Sequence, residues 1–162
     1  MLFPTIEFFI FFVVMFTAAW ALNPFNDAKK LLLLAASYFF YAQWNFHFMF
    51  LLAGASIWNF AIGKSIGWLR GRPLERPALA LGLVGNLGLL GYFKYYDFFS
   101  VQIYNAFASF GMKVDFGSTG LALPVAISFL TFHGISYIVD VHREKTKASN
   151  SVVDVMLYMA FF

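Results

Sequence analysis

The sequence contains no cysteine and few charged residues. Without cysteine the chain has neither disulfides nor thiolate metal ligands. Asp, Glu, Lys and Arg make up 12% of the 162 residues, whereas an average soluble domain carries about 25%. The net charge of +3 is small, so it does not indicate a nucleic-acid-binding surface, and no nucleic acid is expected as a partner.

Apolar and aromatic side chains are abundant instead. Hydrophobic residues make up 61% and aromatic residues 22%, with 23 Phe, and the mean hydropathy is +0.73. A soluble chain of this length could not bury so much apolar surface, so the expected surroundings are a lipid bilayer. The first 22 residues lack a basic region and carry Glu7, which favours a retained span over a signal peptide.

The hydrophobic runs predict an all-α, polytopic bundle of about five to six membrane segments, the last one incomplete. The breaks fall at Asn23-Pro24 and at Pro73 and Pro77, where helices are expected to end. The predicted helices cover 8–22, 31–42, 46–68, 77–96 with a possible continuation to 107, 123–141, and 152–162, with a turn near 44–45.

The final apolar segment, 152–162, is short for a membrane span. Eleven residues of helix cover about 16 Å, against a hydrocarbon core of about 30 Å. We therefore expect residues 1–162 to be the N-terminal transmembrane part of a longer domain, with no separate soluble domain.

The basic residues predict an orientation. Nine of the eleven Lys and Arg lie in three segments, 23–30, 64–76 and 142–150. By the positive-inside rule these segments are cytoplasmic, which places the N-terminus and the 110–120 loop outside.

Glycine spacing predicts where helices approach each other closely. Small residues three or four apart form a groove on one side of a helix, and neighbouring helices pack there. The two predicted packing faces are Gly82, Gly85, Gly88 and Gly91, and Asn59, Gly63 and Gly67.

A pair of opposite charges lies near the outer end of the fourth span. Lys94 and Asp97 are three apart within GYFKYYDFF, so they can pair on one side of a helix. An interfacial pair within an aromatic belt and a charged cavity lining are both compatible with this pattern.

The stretch LPVAISFLTFHGISYIVDVHR (123–143) is apolar enough to cross a bilayer, yet it is rich in polar groups. His133, Ser136 and Asp140 share one side of a helix. They do not form a Ser-His-Asp triad, because His133 and Asp140 are about 10 Å apart along the axis and triad members need contact. We expect a polar stripe that faces the bundle interior or a wet cavity. The candidate stripe or tunnel residues are Ser128, His133, Ser136, Tyr137 and Asp140, with Lys94 and Asp97.

The ionisable residues of this stretch allow further expectations. Asp140 and Arg143 are three apart and are expected to pair at the cytoplasmic boundary. His133 lies mid-span, where a functional group and a neutral, hydrogen-bonded imidazole are equally compatible with the pattern. His47 and His142 are expected to be solvated. No metal-ligand spacing is present, so no metal site is expected.

Three segments carry a family resemblance. LPVAISFLTFHGISYIVDVHR resembles the LP-x-G-ISF-x-TF-xx-x-SY-xx-DV-Y-R signature of membrane-bound O-acyltransferases, in the bacterial branch that O-acetylates alginate and other exopolysaccharides. GYFKYYDFF and LLLLAASYFFYAQWN resemble two further segments of that branch, in the same order. Ala126 and His142 depart from the signature, which often has Gly and Tyr there.

The resemblance implies an activity and a location. Such enzymes are multi-pass proteins of the bacterial inner membrane that carry an acyl group, here expected to be acetyl, from a thioester donor such as acetyl-CoA to a polysaccharide hydroxyl. No bound cofactor is expected. Implied partners are the lipid bilayer, the rest of the acyltransferase chain, extracytoplasmic O-acetylation proteins and the polysaccharide. None of the three histidines matches the family's catalytic histidine, which lies beyond residue 162, so the fragment is expected to be inactive alone.

Two other readings remain open. A non-enzymatic membrane subunit or transporter fragment would use the polar stripe as a substrate or proton path. Transporters often contain internal repeats, and the two halves of this sequence show none. An inactive remnant of a longer protein would also explain the short last segment.

Overall fold

The computed structural model describes residues 6–44, 46–109 and 127–161, without the side chains at 44, 96–101, 104–106 and 108–109. This part of the chain is helical and contains no strand, which confirms the predicted all-α class. The helices are α1 (Ile6–Ala21), α2 (Asn26–Trp44), α3 (Phe46–Trp68), α4 (Glu75–Ser109), α5 (Ile127–His142) and α6 (Val152–Ala160).

The bounds of α3 and α4 follow the apolar runs closely. α3 covers the predicted residues 46–68. α4 is 35 residues long and includes the possible continuation to 107. It begins at Glu75, two residues earlier than predicted, because Pro77 occupies the first turn, where a missing N–H removes no intrahelical hydrogen bond.

The start of α2 differs from the prediction. The sequence predicts no helix over 23–30, but α2 begins at Asn26, so Asp27, Lys29 and Lys30 lie on the first turns of a helix. The Lys29 N–H donates to the Phe25 carbonyl at 2.9 Å, and Lys29 Nζ donates to Asn23 Oδ1 at 2.9 Å. Asp27 lies in the first turn, where a negative charge is favourable.

Two helices in the described part of the chain are long and apolar enough to cross a membrane. They are α3 and the Glu75–Tyr95 portion of α4. α1 is a shorter apolar helix of 16 residues, and none of its side chains is buried. It lies against α2 through aromatic rings, with Phe8 and Phe40 ring centroids 5.5 Å apart.

α3 lies at the centre of the helix packing and contacts α2, α4, α5 and α6. α5 contacts α3, α4 and α6, and α6 also packs against α2. Two apolar clusters stabilise this arrangement. The first joins α3, α5 and α6, and its buried members are Leu52, Ala55, Leu130, Val155, Met159 and Ala160. The second joins the second half of α3 to the second half of α5, and its buried members are Ile62, Ile66, Ile138 and Val141.

Candidate functional site

Two buried asparagines connect α3 to α4. Asn59 Nδ2 donates to Asn86 Oδ1 at 3.1 Å, and Asn86 Nδ2 donates to Asn59 Oδ1 at 2.9 Å. Each amide also donates to the carbonyl one turn earlier on its own helix, at Ala55 and Gly82. Both side chains are almost fully buried. Because all four amide N–H bonds are used, the pair can lie inside an apolar bundle at low cost.

Gly134 brings α5 against this amide pair. A Cβ atom added to Gly134 would lie 2.5 Å from Asn59 Nδ2 and 2.7 Å from Asn86 Oδ1. Such distances are too short for a real side chain, so only glycine allows the three helices to meet here. We call Asn59, Asn86 and Gly134 the amide junction.

The predicted packing face on α3 is confirmed. Beyond Asn59, a Cβ on Gly63 would lie 2.5 Å from the Tyr137 ring, and one on Gly67 would lie 2.8 Å from Ala148. All three positions therefore contact α5 or the segment that follows it.

The predicted glycine groove on α4 is only half used in the described part of the chain. A Cβ on Gly82 would lie 2.6 Å from Ile62 and 2.7 Å from Ile138, and one on Gly85 would lie 2.8 Å from Trp58. Gly88 and Gly91 have no atom within 4 Å of that position. The groove therefore packs against α3 and α5 at one end and is open at the other.

The inner face of α5 is apolar apart from one hydroxyl. Thr131 is buried and donates to the Ile127 carbonyl at 2.8 Å. Of the predicted stripe, Ser136 is exposed, whereas Ser128, His133, Tyr137 and Asp140 are half-buried. Ser136 thus points away from the described bundle, which differs from the expected inward stripe, because Gly134 and Ile138 occupy the inward positions.

Two stripe residues line a pocket between α5 and α6. Its volume is about 300 Å³. Tyr137 accepts a hydrogen bond from the Ser149 N–H at 3.2 Å, which holds the 143–151 segment against α5. The lining residues are Tyr137, Asp140, Thr146, Lys147, Ser149, Asp154, Val155 and Tyr158.

His133 packs between aromatic rings. Its ring centroid lies 4.0 Å from that of Phe129 and 5.3 Å from that of Tyr158. Its Nδ1 is buried without a hydrogen-bond partner. His133, Tyr137 and Asp140 are half-buried along one flank of α5, and no hydrogen bond joins these described side chains.

The end of α5 is tied to the α3–α4 turn. Arg70 donates to the Val141 carbonyl at 2.8 Å, and its Nε lies 3.6 Å from Glu144 Oε1. His142 Nδ1 lies 2.8 Å from Glu75 Oε1. The expectation that His142 is solvated is therefore wrong, because α4 begins beside the end of α5.

The expected ion pair between Asp140 and Arg143 is also absent from the described residues. Arg143 is exposed, and Asp140 lines the pocket instead. The Asp140 carbonyl accepts the backbone N–H groups of Lys145 and Thr146, so the chain turns away at this point. Arg143 lies in that turn and is exposed, whereas the Arg70 side chain lies against the end of α5.

A further ion pair joins the beginnings of α2 and α6. Lys30 Nζ lies 2.6 Å from Asp154 Oδ1. Hydrogen bonding to the Asp154 carboxylate raises the pKa of Lys30 above its usual value. Together with the Arg70 and His142 contacts, this pair gathers the segments 23–30, 64–76 and 142–150 at one end of the bundle, which we call the basic end.

Lys94 lies far from this end and is exposed. Its Nζ is 5.6 Å from the Tyr95 ring centroid, a cation–π distance. The Asp97 side chain lies outside the described residues, so their pairing stays a prediction. His47 is exposed, and the described residues contain no cluster of three His, Cys, Asp or Glu able to hold a metal ion.

Sequence reasoning singled out α5 for its polar side chains but missed the amide junction. It recognised Asn59 as part of a packing face and left Asn86 and Gly134 unremarked. The available signal was an asparagine at about the same depth in each of two apolar helices, since such residues bond across helices.

Two helices long and apolar enough to cross a membrane, joined by buried amides and glycine contacts, are typical of a helical membrane bundle. The chain is 40% identical over its whole length to a probable alginate O-acetylase of Pseudomonas aeruginosa, of which it covers 31%. It is 39% identical over its whole length to a probable alginate O-acetylase of Azotobacter vinelandii, covering 32%. Over 78% of the chain it is 38% identical to a peptidoglycan O-acetyltransferase of Helicobacter pylori, covering 23%.

The chain is therefore homologous to bacterial polysaccharide O-acetyltransferases, and the resemblance in its three segments is confirmed. It spans about a third of the length of the alginate O-acetylases that it matches. No family model matches the chain. No solved structure is detectably similar to it.

Proposed function

We propose that the chain is part of a membrane-bound O-acetyltransferase that transfers acetyl groups to the hydroxyls of a cell-surface polysaccharide such as alginate. The observation that carries this proposal is the similarity to alginate O-acetylases over every residue of the chain. The helices described here form a scaffold within that enzyme. The catalytic base, which we take to be a histidine outside these 162 residues, acts on the acceptor hydroxyl.

The donor in this proposal is an acyl thioester such as acetyl-CoA, which approaches from the cytoplasm. The clustering of three basic segments at one end of the bundle supports a cytoplasmic assignment for that end. The enzyme then lies in the inner membrane with its N-terminus outside. Extracytoplasmic O-acetylation proteins receive or present the acceptor on the other side.

Complementation tests this function. The complete acetyltransferase containing these residues is expressed in an alginate-producing strain that lacks its own O-acetylase, and alginate acetyl content is measured by proton NMR. We expect the complete protein to restore acetylation and residues 1–162 alone to leave the polymer unacetylated. Full restoration by residues 1–162 alone would contradict the scaffold role.

The Helicobacter pylori relative favours one alternative acceptor, peptidoglycan. Muropeptide analysis of the same strains separates the two acceptors, because acetylated muropeptides differ in mass from unmodified ones. If acetyl groups were found on peptidoglycan and not on alginate, the acceptor would be peptidoglycan and the proposed reaction would still be acetyl transfer.

A further inference from the structure

The outward face of α5 is unusual among the apolar helices. Phe129 and Phe132 are 62% and 61% exposed, and Ser136 on the same side is exposed as well. His133 and Asp140 flank this side and are half-buried. We call these five residues the α5 outer face.

The exposed middle parts of α3 and α4 have a different character. Every exposed residue in 50–61 of α3 and in 80–88 of α4 is apolar, as expected for surfaces in contact with lipid tails. On α3 they are Phe50, Gly54, Ile57, Trp58 and Ala61, and on α4 they are Ala80, Leu81, Val84, Leu87 and Gly88.

Depth makes this contrast meaningful. His133 lies ten residues before Arg143 at the basic end, which is about 15 Å along a helix and near the middle of a hydrocarbon core of about 30 Å. Ionisable side chains at that depth face protein or a water-filled space. α6 covers one flank of the His133 ring through Tyr158. With Nδ1 buried and unpartnered, Nε2 is the nitrogen left for a hydrogen bond to a further group.

We propose that a segment of the same polypeptide, outside residues 1–162, packs on the α5 outer face in the complete protein. This inference rests on the proposed function, since it takes the complete protein to be the longer acetyltransferase. The chain covers 31% to 33% of the alginate O-acetylases it matches best in length, so roughly two thirds of such a protein remains to pack against these helices. A helix face that carries His133 and Ser136 among exposed phenylalanines at membrane depth is the surface that such a segment would cover.

Site-specific photo-crosslinking of the complete protein in native membranes tests this proposal. Phe132→p-benzoylphenylalanine places the reactive group on the α5 outer face. Phe9→p-benzoylphenylalanine is the matched control, because Phe9 is a similarly exposed phenylalanine, at 65%, on the peripheral helix α1. Adducts are separated by mass on gels and identified by peptide mass spectrometry.

We expect position 132 to give an adduct at monomer mass with a peptide from beyond residue 162, while position 9 reacts with lipid. Adducts of position 132 with lipid alone, with a second copy or another protein, or no peptide adduct at all would overturn the proposal. The readout does not depend on catalysis. An intramolecular adduct in a protein that acetylates no polymer would support packing on the α5 outer face and contradict the proposed function. Acetylation of a polymer without the adduct would support the proposed function and contradict packing on the α5 outer face.

Discussion

At the scale of single residues, the amide junction has the most definite energetic consequences. Asn59 and Asn86 satisfy each other's hydrogen-bonding groups. The burial of either side chain therefore costs little free energy only while the other asparagine is present. Gly134 adds a steric condition, because α5 can approach the pair only without a side chain at that position. Polar satisfaction and close packing are therefore coupled at one point in the bundle.

Replacement of both asparagines should destabilise the bundle by less than the sum of the two single replacements. Asn86→Leu leaves the Asn59 amide buried without its partner, at an expected cost of about 1–2 kcal/mol. The double variant Asn59→Leu/Asn86→Leu removes both polar groups and should cost less than the sum of the single changes. SDS-induced unfolding of the purified protein compares Asn59→Leu, Asn86→Leu and the double variant. Strictly additive effects would show that the pair is not coupled.

A methyl group at the junction should also be costly. Gly134→Ala places Cβ against both amides and is expected to lower the free energy of unfolding by about 1–3 kcal/mol. Gly88→Ala is the matched control, because a Cβ there meets no atom within 4 Å, and a change within about 0.5 kcal/mol is expected. Thermal unfolding in detergent compares them. Equal losses would mean that the close approach at Gly134 is unimportant.

At the scale of helices, the basic end is held by contacts between segments that are distant in sequence. Arg70, from the α3–α4 turn, donates to the Val141 carbonyl at the end of α5, which also accepts the Glu144 N–H, and its positive charge is favourable at a helix C-terminus. Glu75 and His142 add a second contact between α4 and α5. These contacts set where α5 ends.

Loss of Arg70 should loosen the end of α5. Arg70→Ala removes the hydrogen bond to Val141 and the contact with Glu144, so the amides of 142–148 should exchange with deuterium about 5-fold faster, equivalent to about 1 kcal/mol. Arg143→Ala serves as the control, because Arg143 is exposed and takes part in no ion pair among the described residues. Hydrogen–deuterium exchange with mass spectrometry reports both. Similar acceleration in the two variants would argue against a specific role for Arg70.

Helices were more predictable than the contacts between them. The long apolar run of α3 determined its bounds, whereas the start of α2 was missed because Asp27, Lys29 and Lys30 are typical of a loop and are also favourable on an exposed first turn. The pairing of Asn59 with Asn86 and of Arg70 with Val141 depends on how helices cross in space, which spacing along one helix does not reveal. For the same reason local spacing wrongly favoured Arg143 as the partner of Asp140.

At the scale of the whole molecule, the gathering of basic segments at one end makes the orientation in the membrane testable. Single cysteines replacing Arg72 and Lys145, in a background otherwise free of cysteine, should react with a membrane-impermeant maleimide only after the cells are lysed. A cysteine replacing Lys113, in the predicted 110–120 loop outside the described residues, should react in intact cells whose outer membrane is permeabilised. Labelling of positions 72 and 145 in intact cells would reverse the proposed orientation.

The ion pair between Lys30 and Asp154 also bears on how the protein is made. The two residues lie 124 positions apart along the chain. At a synthesis rate of about 5–20 residues per second, roughly 6–25 s pass between the emergence of Lys30 and that of Asp154 from the ribosome. During that interval α2 can pack against α1 and α3 but not yet against α6, which it contacts in the folded protein. A ribosome that stalls before codon 154 would therefore release a membrane-inserted intermediate with an uncovered α2, a natural substrate for membrane quality-control proteases.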